Sequence, residues 1–503
     1  MKFQMLFRNA CYAAAGLSAL FVAGGIQAKP KTQTVMLIEN VTAIDAKNGS
    51  RSHVDVRMSG GTITSVSPHA SWKLKSGTKR IDGAGKFLIP GLWDAHVHLT
   101  YTKGVDHRTF FPLSLAHGVT SLRDTGGHLN LLKEAREIAD SDALAPDLYV
   151  SGPLIDGSPR VYDGHNIVFA DLAVAAATPE EGVKIVDGLA KQGVDFIKAY
   201  EMLSPETFAA IVARARFHNL PVATHSPLSM SVRATTKSGV ADMQHLRNLE
   251  LACVKDPDAL LEKRSAMIKA FDAPNAGALR SSIHKAQRSL AAQQYDKAKC
   301  DNLIETLAKE NVIQTPTIAL SNFGSKGVFA TERWARTFKM LPPKVANLWR
   351  KQTALYAKRK PDQGRLAYLA WSKSLIAQMN AKDIVFMAGT DAPIAFLTPG
   401  ISLHEELAML VDAGLSPMQA LKAATITPAA YFGKENAIGT IAKGMKADLV
   451  LLNSNPLTNI RNSTDISAVL KDGRYLNRAK LDALLAAPTK IRLAADGQKD
   501  ESK

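Results

Sequence analysis

Two histidines, His96 and His98, stand one residue apart in the stretch "GLWDAHVHLT". On a β-strand, residues i and i+2 project to the same face, whereas on a helix they diverge by about 200°. Two neutral imidazoles on one face at a strand end are suitable ligands for a divalent ion such as Zn2+. The spacing therefore predicts part of a metal site, and the other ligands must come from other strands.

Short apolar stretches alternate with amphipathic helical ones through most of the chain. The predicted strands are "FLIPGLWDAHVHL", "VTSLRD", "PDLYVSG", "VDFIKAY", "PVATHS", "ADMQHL", "VIQTPTIAL" and "IVFMAGTDA". Eight strands alternating with helices predict an α/β protein, a (β/α)8 TIM barrel over residues 90–434. In such a barrel the carboxyl ends of the strands meet on one rim, where catalytic groups collect.

The two flanks of this region are rich in β signals. Residues 29–89 begin with the alternating stretch "TVMLIENVTAID", and residues 435–480 return to strand character. We expect them to pair into a small β-sandwich domain. Long helical insertions follow strand six and precede strand eight, and they predict a helical lid over residues 255–380. A C-terminal helix and tail are expected over 481–503.

The first 28 residues have the composition of a secretory signal peptide. Lys2 and Arg8 form a basic start, and "CYAAAGLSALFVAGGIQA" is an apolar core that ends at Ala28. This core is shorter than the ~20 residues that a membrane span needs. We therefore expect cleavage near Ala28, a periplasmic or secreted protein, and no membrane span after removal of the signal.

Export makes the cysteines informative. With Cys11 removed, the mature chain keeps Cys253 and Cys300. In an oxidising compartment these thiols can form a disulfide, and two buried unpaired thiols are the alternative. The sequence leaves both open.

The chain has 503 residues and a formal net charge of +16. Its basic residues are scattered, as in "YAKRKPDQGR", and they form no stripe interleaved with aromatic residues. The pattern indicates a solvated basic surface or the steering of anions, and it argues against a nucleic-acid partner. A small-molecule substrate is expected. Whether the chain forms a homo-oligomer is a question that the sequence leaves open.

Polar residues of the ligand type stand at the ends of the later strands. Strand four carries Lys198, strand five ends in His225, strand six ends in His245, and strand eight ends in Asp391. Together with His96 and His98 they form a set of six that a barrel would bring to one rim.

This set, with the entry "LIPGLWDAHVHL" and the trailing "GTIAKGMKADLVLLNSNP", resembles the amidohydrolase superfamily, in particular its imidazolonepropionase-like and prolidase-like members. The resemblance implies two divalent ions, with Zn2+ expected. It assigns His96, His98 and Asp391 to one ion and His225 and His245 to the other. Lys198 would be carboxylated by CO2 and would bridge the two ions. A bridging hydroxide would attack the substrate, with Asp391 as general base and acid.

Three further residues are candidates for the substrate side. By the same resemblance, Tyr200 would hydrogen-bond the scissile carbonyl or a substrate carboxylate and so take part in catalysis. His128, after strand two, is either a substrate contact or a solvent-facing loop residue. Arg123 could bind a carboxylate bidentately, and a buried ion pair is the alternative. His404 is expected to cap or pack a helix.

The predicted function is hydrolysis of an amide bond in a dipeptide or N-acyl amino acid. A mononuclear deaminase or cyclic-amide hydrolase, such as an imidazolonepropionase-like enzyme, is the alternative, and a non-catalytic metal-binding scaffold is a remote one. Lys198 separates the first two, because a mononuclear site needs no bridging carbamate. The stretches "KAYEMLSPE" and "MQHLRN" depart from the patterns common among dipeptidase relatives, so the substrate cannot be transferred from the resemblance.

Overall fold

The computed structural model describes residues 35–70, 76–142, 144–166, 170–271 and 275–490. The predicted signal peptide at 1–28 and the tail beyond residue 490 lie outside the described residues. The strands are β1 (Val35–Asp45), β2 (Gly49–Ser59), β3 (Thr62–Pro68), β4 (Lys79–Asp82), β5 (Phe87–Pro90), β6 (Leu92–Val97), β7 (Val119–Asp124), β8 (Asp147–Val150), β9 (Leu154–Asp156), β10 (Ala173–Ala175), β11 (Ile197–Ala199), β12 (Val222–Thr224), β13 (Asp242–Gln244), β14 (Ile313–Thr315), β15 (Leu449–Leu452), β16 (Ile466–Lys471) and β17 (Arg474–Asn477).

The α-helices are α1 (His107–Ala116), α2 (Leu129–Ser141), α3 (Pro179–Lys191), α4 (Pro205–Phe217), α5 (Val232–Lys237), α6 (Leu249–Ala252), α7 (Pro257–Lys269), α8 (Ala276–Gln293), α9 (Lys297–Lys309), α10 (Ile318–Lys326), α11 (Glu332–Ala335), α12 (Pro343–Tyr356), α13 (Gln363–Asn380), α14 (Ile401–Asp412), α15 (Pro417–Ala423), α16 (Ile426–Tyr431) and α17 (Arg478–Ala486). Short 3-10 helices cover Val328–Ala330, Arg336–Met340, Ile394–Phe396, Ile460–Thr464 and Pro488–Lys490. No helix among the described residues combines the length and the apolar character that a membrane crossing needs.

The N-terminal and C-terminal strands lie in one mixed sheet of eight strands. Its order is β17-β16-β15-β5-β1-β2-β3, and β4 also pairs with β1. β5 joins the two ends of the chain, since it pairs in parallel with β1 and antiparallel with β15. Buried residues from both ends, such as Ile38, Val56 and Leu449, form one cluster on this sheet. β1 pairs with both β4 and β5 along one edge, so the hydrogen bonds run through all eight strands, and the sandwich stays a prediction.

The predicted strand "FLIPGLWDAHVHL" is divided at Gly91 into β5 and β6. Pro90 has no N–H to donate, and the Gly91 N–H donates to the carbonyl of Asp448 at 2.8 Å. A Cβ on Gly91 would lie 2.1 Å from Oγ1 of Thr120, so only glycine fits this approach. The chain passes here from the mixed sheet into the parallel strands that carry His96.

The remaining strands form parallel sheets, β6-β7-β8 and β10-β9-β11-β12-β13-β14. Every residue of β6, β7 and β11 is buried, as is usual for parallel strands covered by helices. Residues 385–392 connect the two sheets, because Ala95 N donates to Ala388 O and Met387 N donates to Gln314 O, both at 2.9 Å. The predicted α/β class is confirmed.

Residues 384–392, predicted as strand eight, make only isolated bridges, Gln314 with Phe386 and Val97 with Ala392. A Cβ on Gly389 would lie 2.6 Å from Cβ of His96, so the segment runs against β6 at close range. Asp391 is in the left-handed region at φ 68°, which interrupts a regular ladder.

Two groups of helices occupy the predicted insertions. Helices α6 to α9 stand between β13 and β14, and α10 to α13 stand between β14 and residue 384. Cys253 at the end of α6 forms a disulfide with Cys300 in α9, so the pairing that the sequence left open is present in the structure.

Candidate active site

The six predicted metal ligands line one pocket. They are His96, His98, Lys198, His225, His245 and Asp391. His96 belongs to β6 and Lys198 to β11, while His225 and His245 follow β12 and β13 directly. Parallel strands thus place the side chains at their carboxyl ends, as in other α/β proteins. Their exposure is low, from 1% for His96 to 8% for His245.

His96, His98 and Asp391 form the most compact part of this set. Oδ1 of Asp391 lies 3.1 Å from Nε2 of His96 and 3.0 Å from Nε2 of His98. One potential ligand atom from each of the three lies within 4.8 Å of the others. The Asp391 N–H donates to the carbonyl of His96 at 2.7 Å, which fixes the left-handed backbone of Asp391 against β6.

The imidazoles are oriented by partners on Nδ1. Nδ1 of His98 is 2.8 Å from the carbonyl of Gly126, and Nδ1 of His245 is 2.6 Å from Oγ1 of Thr317. Nδ1 of His225 is 2.6 Å from Oε1 of Glu201. Metal-ligating histidines are usually held in this way, with the other ring nitrogen left for the ion. The ring centroids of His225 and His245 lie 4.6 Å apart, and those of His96 and His245 lie 4.7 Å apart.

Burial keeps most of these imidazoles neutral. It lowers the pKa of His96 to about 3 and holds the pKa values of His225 and His245 well below the usual range. For His98, burial alone would lower the pKa, but the hydrogen bond and charge of Asp391 outweigh it and raise the pKa. Burial would raise the pKa of Asp391, but the neighbouring imidazoles hold it well below its usual range. Neutral imidazoles and an ionised carboxylate are the donors that Zn2+ and similar divalent ions accept, so the residues fit such an ion.

Lys198 lines the pocket and is buried. Its Nζ donates to Oε1 of Gln244, and burial lowers the pKa of the amine to about 7. A protonated amine cannot bind a metal ion or react with CO2, whereas the neutral amine can do both. Lys198 therefore lies in a setting that favours its reactive form.

Arg123 lies inside the parallel strands. Its Nη1 and Nη2 each lie 3.1 Å from a carboxylate oxygen of Asp242, and its Nε donates to the carbonyl of Ala95 at 2.6 Å. Both partners of the ion pair are fully buried. This geometry corresponds to the structural ion pair and not to a substrate contact, because the fork of the guanidinium is already occupied.

The other candidates divide between the pocket and the surface. Tyr200 lines the pocket, with its ring 4.4 Å from that of His225, and its hydroxyl accepts a hydrogen bond from Nη1 of Arg280 at 3.0 Å. His128 is exposed at the start of α2, which corresponds to the solvent-facing alternative. His404 is buried, with Nδ1 2.8 Å from Oγ of Ser463, and packs as expected.

Several residues of the site were not predicted from the sequence. Arg247 and Tyr162 line the pocket, and Glu201 bonds both Arg247 and His225. Glu201 stands three positions after Lys198, and Arg247 stands two positions after His245. A search for charged residues just beyond the predicted ligands would therefore have found both. Arg280 comes from the inserted helix α8, and no local signal points to it.

Part of the chain is similar to known proteins. Residues 372–476 match the Amidohydrolase family. The ochratoxinase of Aspergillus niger is 22% identical over 432 residues, which is 74% of this chain and 72% of that protein. The adenine deaminase of Mesorhizobium japonicum is 37% identical over 68 residues, 14% of this chain and only 11% of its own length.

Solved structures share the fold over most of the chain. A Xaa-Pro dipeptidase with bound methionine in its active site superposes with a TM-score of 0.62 at 17% identity, covering 88% of this chain and all of its own. Bottromycin amidohydrolase gives a TM-score of 0.66 at 22% identity, covering 90% of both chains. These structural matches show a shared fold, and the match of residues 372–476 to the Amidohydrolase family supports the predicted resemblance to the amidohydrolase superfamily.

Proposed function

We propose that the chain is a metal-dependent amidohydrolase that hydrolyses the amide bond of a dipeptide or N-acyl amino acid, with its parallel strands closed into a (β/α)8 barrel. The observation that carries the proposal is the meeting of His96, His98 and Asp391 within 4.8 Å. The other predicted ligands line the same pocket. Structural neighbours such as the Xaa-Pro dipeptidase support the choice of substrate class.

Two divalent ions, with Zn2+ expected, would be held by His96, His98 and Asp391 and by His225 and His245. Bound divalent ions lower the pKa of water and polarise a carbonyl group. Carboxylated Lys198 is the proposed shared ligand. Its place in the pocket with all four histidines supports a binuclear site over the mononuclear deaminase alternative.

Asp391 is the proposed proton carrier. Its carboxylate is ionised and lies among the imidazoles at the centre of the site. It takes a proton from water as the oxygen bonds to the amide carbon. It returns that proton to the nitrogen as the C–N bond breaks, which yields a carboxylic acid and a free amine. Tyr200, beside His225, is proposed to hydrogen-bond the substrate.

Export from the cytoplasm is part of the proposal. The basic and apolar pattern of residues 1–28 supports a cleaved signal peptide and a periplasmic or secreted enzyme. The Cys253–Cys300 disulfide supports an oxidising compartment.

The test uses the mature chain from residue 29, purified, supplied with zinc and bicarbonate, and assayed on dipeptides and N-acyl amino acids by chromatography of the released amino acid. We expect turnover that a chelator abolishes. The Asp391→Asn variant should keep much of its metal and lose about 10²- to 10⁴-fold in kcat. An unchanged kcat in this variant would remove the role given to Asp391, and no turnover of any amide by the metal-loaded enzyme would overturn the function.

A further inference from the structure

Half of the formal net charge of the chain lies in one short segment. Residues 331–365, the basic segment, contain ten Lys and Arg residues but only two Asp and Glu residues, a net charge of +8, whereas the chain of 503 residues carries +16. All ten basic residues are exposed. The solvated basic surface that the sequence indicates is therefore concentrated here, around helix α12.

Most of these cations are not neutralised by the chain itself. Three of them form ion pairs: Arg333 with Glu405 at 2.7 Å, Arg336 with Glu332 at 3.5 Å and Arg365 with Asp362 at 3.9 Å. The other seven, which include Lys344, Lys351 and the basic run at 358–360, have no ion-pair partner in the part of the chain that the structure describes. Their charge is therefore available to a partner in solution.

Helix α12 has an inner and an outer face. Val345, Trp349 and Thr353 are buried, and the Trp349 ring lies 5.3 Å from that of Phe338. The opposite face carries a stripe of exposed residues with a spacing of four, three and four, about 16 Å long. This outer stripe consists of Lys344, Leu348, Lys351 and Leu355. Since packing of the inner face fixes the helix, the outer stripe stays turned toward solvent.

Leucines alternate with lysines along the outer stripe. Leu348 is 44% exposed and Leu355 is 64% exposed. The basic run at 358–360 follows the end of the helix, and the Arg359 guanidinium lies 4.4 Å from the centre of the Tyr356 ring, which holds the run against α12. A single exposed leucine is ordinary on a protein surface. Leucines that share one helix face with unpaired cations are typical of helices that lie in the interface of an anionic membrane.

We propose that the outer stripe of α12, together with the basic run at 358–360, binds the surface of a bilayer that contains anionic lipids. Phosphate-bearing headgroups neutralise the cations, and Leu348 and Leu355 enter the boundary between the headgroups and the acyl chains. The inference goes beyond the proposed function and does not depend on it.

Two other partners fit this surface less well. A symmetrical contact with a second copy of the chain would bring the same basic segment against itself, so that like charges would repel. A nucleic acid would neutralise the cations, but it would leave the two leucines without an apolar contact. The anionic bilayer matches both the charge and the apolar side chains of the outer stripe.

The test measures sedimentation with vesicles of phosphatidylcholine alone and of phosphatidylcholine and phosphatidylglycerol in equal parts. It uses the chain from residue 29, so that the apolar stretch of the predicted signal peptide cannot bind lipid itself. At about 0.1 M salt the chain should sediment only with the anionic vesicles. Salt at about 1 M should release it, because the Debye length falls from about 10 Å to about 3 Å. No sedimentation with either vesicle, or equal sedimentation with both, would overturn the inference.

Two matched pairs of lysines test the position of the site. Lys358→Gln/Lys360→Gln should weaken binding to the anionic vesicles about 25-fold, because each basic residue near such a surface contributes about five-fold. Lys184→Gln/Lys191→Gln removes the same charge from exposed lysines of α3 and should bind as the wild-type protein does. Equal losses in the two variants would show that the net charge of the whole chain attracts the vesicles, which rejects the site.

The leucines separate a lipid surface from other polyanions. Leu348→Ser/Leu355→Ser keeps every charge, and it should weaken binding to the anionic vesicles about 10-fold through the lost apolar contact. Urea midpoints equal to that of the wild-type protein check that the variants fold. Vesicle binding that is unchanged in the leucine variant would overturn the assignment to a lipid surface. Duplex DNA that binds the wild-type protein and the leucine variant more tightly than the vesicles do would identify a polyanion site in its place.

Discussion

The rim of the parallel strands lines the pocket directly, whereas the helical insertion contacts it through Tyr200 and Glu201. The rim supplies the predicted ligands from strand ends, and their partners on Nδ1, such as Gly126 and Thr317, also follow strands. The insertion supplies Arg280 and His284 from α8, which is 18 residues long and lies between β13 and β14. The predicted ligands thus come from strand ends, which are local features of the sequence, whereas the insertion adds charged side chains from a part of the chain that is distant from most of those ligands in sequence.

Replacing Lys198 by alanine should have the largest effect. Lys198 lies among the predicted ligands, so its loss should leave fewer than two ions per chain and lower kcat/KM by more than the ~100-fold that loss of an outer partner of a metal ligand causes. Metal analysis and steady-state kinetics check this. Lys446→Met is the control, since Lys446 pairs with Asp147 at the start of β8 and with Asp448 just before β15, and its loss should change stability without changing metal content. Two ions in Lys198→Ala would contradict the assignment.

The sequence was informative about the rim because strand ends are local features. An apolar run followed by a histidine indicates both the strand and the direction in which its end points, as for His225 after β12. Residues 384–392 were harder, because the close approach of Gly389 to His96 and the left-handed Asp391 depend on β6, which is distant in sequence. The contact of Arg280 with Tyr200 depends on how α8 docks, and no spacing in the chain encodes it.

Breaking the disulfide tests whether the helical insertion stabilises the fold without holding the metal. Cys253 and Cys300 are 47 residues apart, and closing a loop of this size contributes about 4 kcal/mol in the chain-entropy treatment. The Cys253→Ala/Cys300→Ala double variant should therefore unfold at a lower denaturant concentration and should keep its bound metal, since α6 and α9 hold none of the predicted ligands. Urea titration with and without reductant measures the effect. A variant that loses its metal in the native state would show that the two regions are not separable.

Glu201 connects the two regions, because it bonds His225 and Arg247 beside the strand ends and lies 3.8 Å from His284 of the insertion. Glu201→Gln keeps the shape but removes the charge that orients both partners. We expect metal affinity or kcat to fall by about 10- to 100-fold, as for other outer partners of metal ligands. Glu250→Gln is the matched control, since Glu250 is also buried but its nearest ion-pair partner is Arg288. Equal effects of the two substitutions would assign Glu201 to general stability alone.

The smallest effect is expected at His404, a buried histidine that lies outside the candidate active site. Its Nε2 donates to the carbonyl of His117 at 3.0 Å, and burial lowers its pKa to about 4. The unfolded chain protonates this histidine below about pH 6.5, so between pH 6.5 and 4 the unfolded state binds more protons and the native state loses stability as the pH falls.

His404→Gln removes this titration. The variant should be less stable than the wild-type protein at pH 7, and the difference should shrink by about 2 kcal/mol at pH 5, where only the wild-type protein pays for keeping the ring neutral. Urea midpoints at the two pH values measure it, with metal content and kcat unchanged as the control. A difference that stays constant would mean that the His404 ring accepts a proton in the folded state. In that case burial alone would not keep a histidine neutral in this protein, and the neutral state of His225 would have to come from its place among the cations of the pocket.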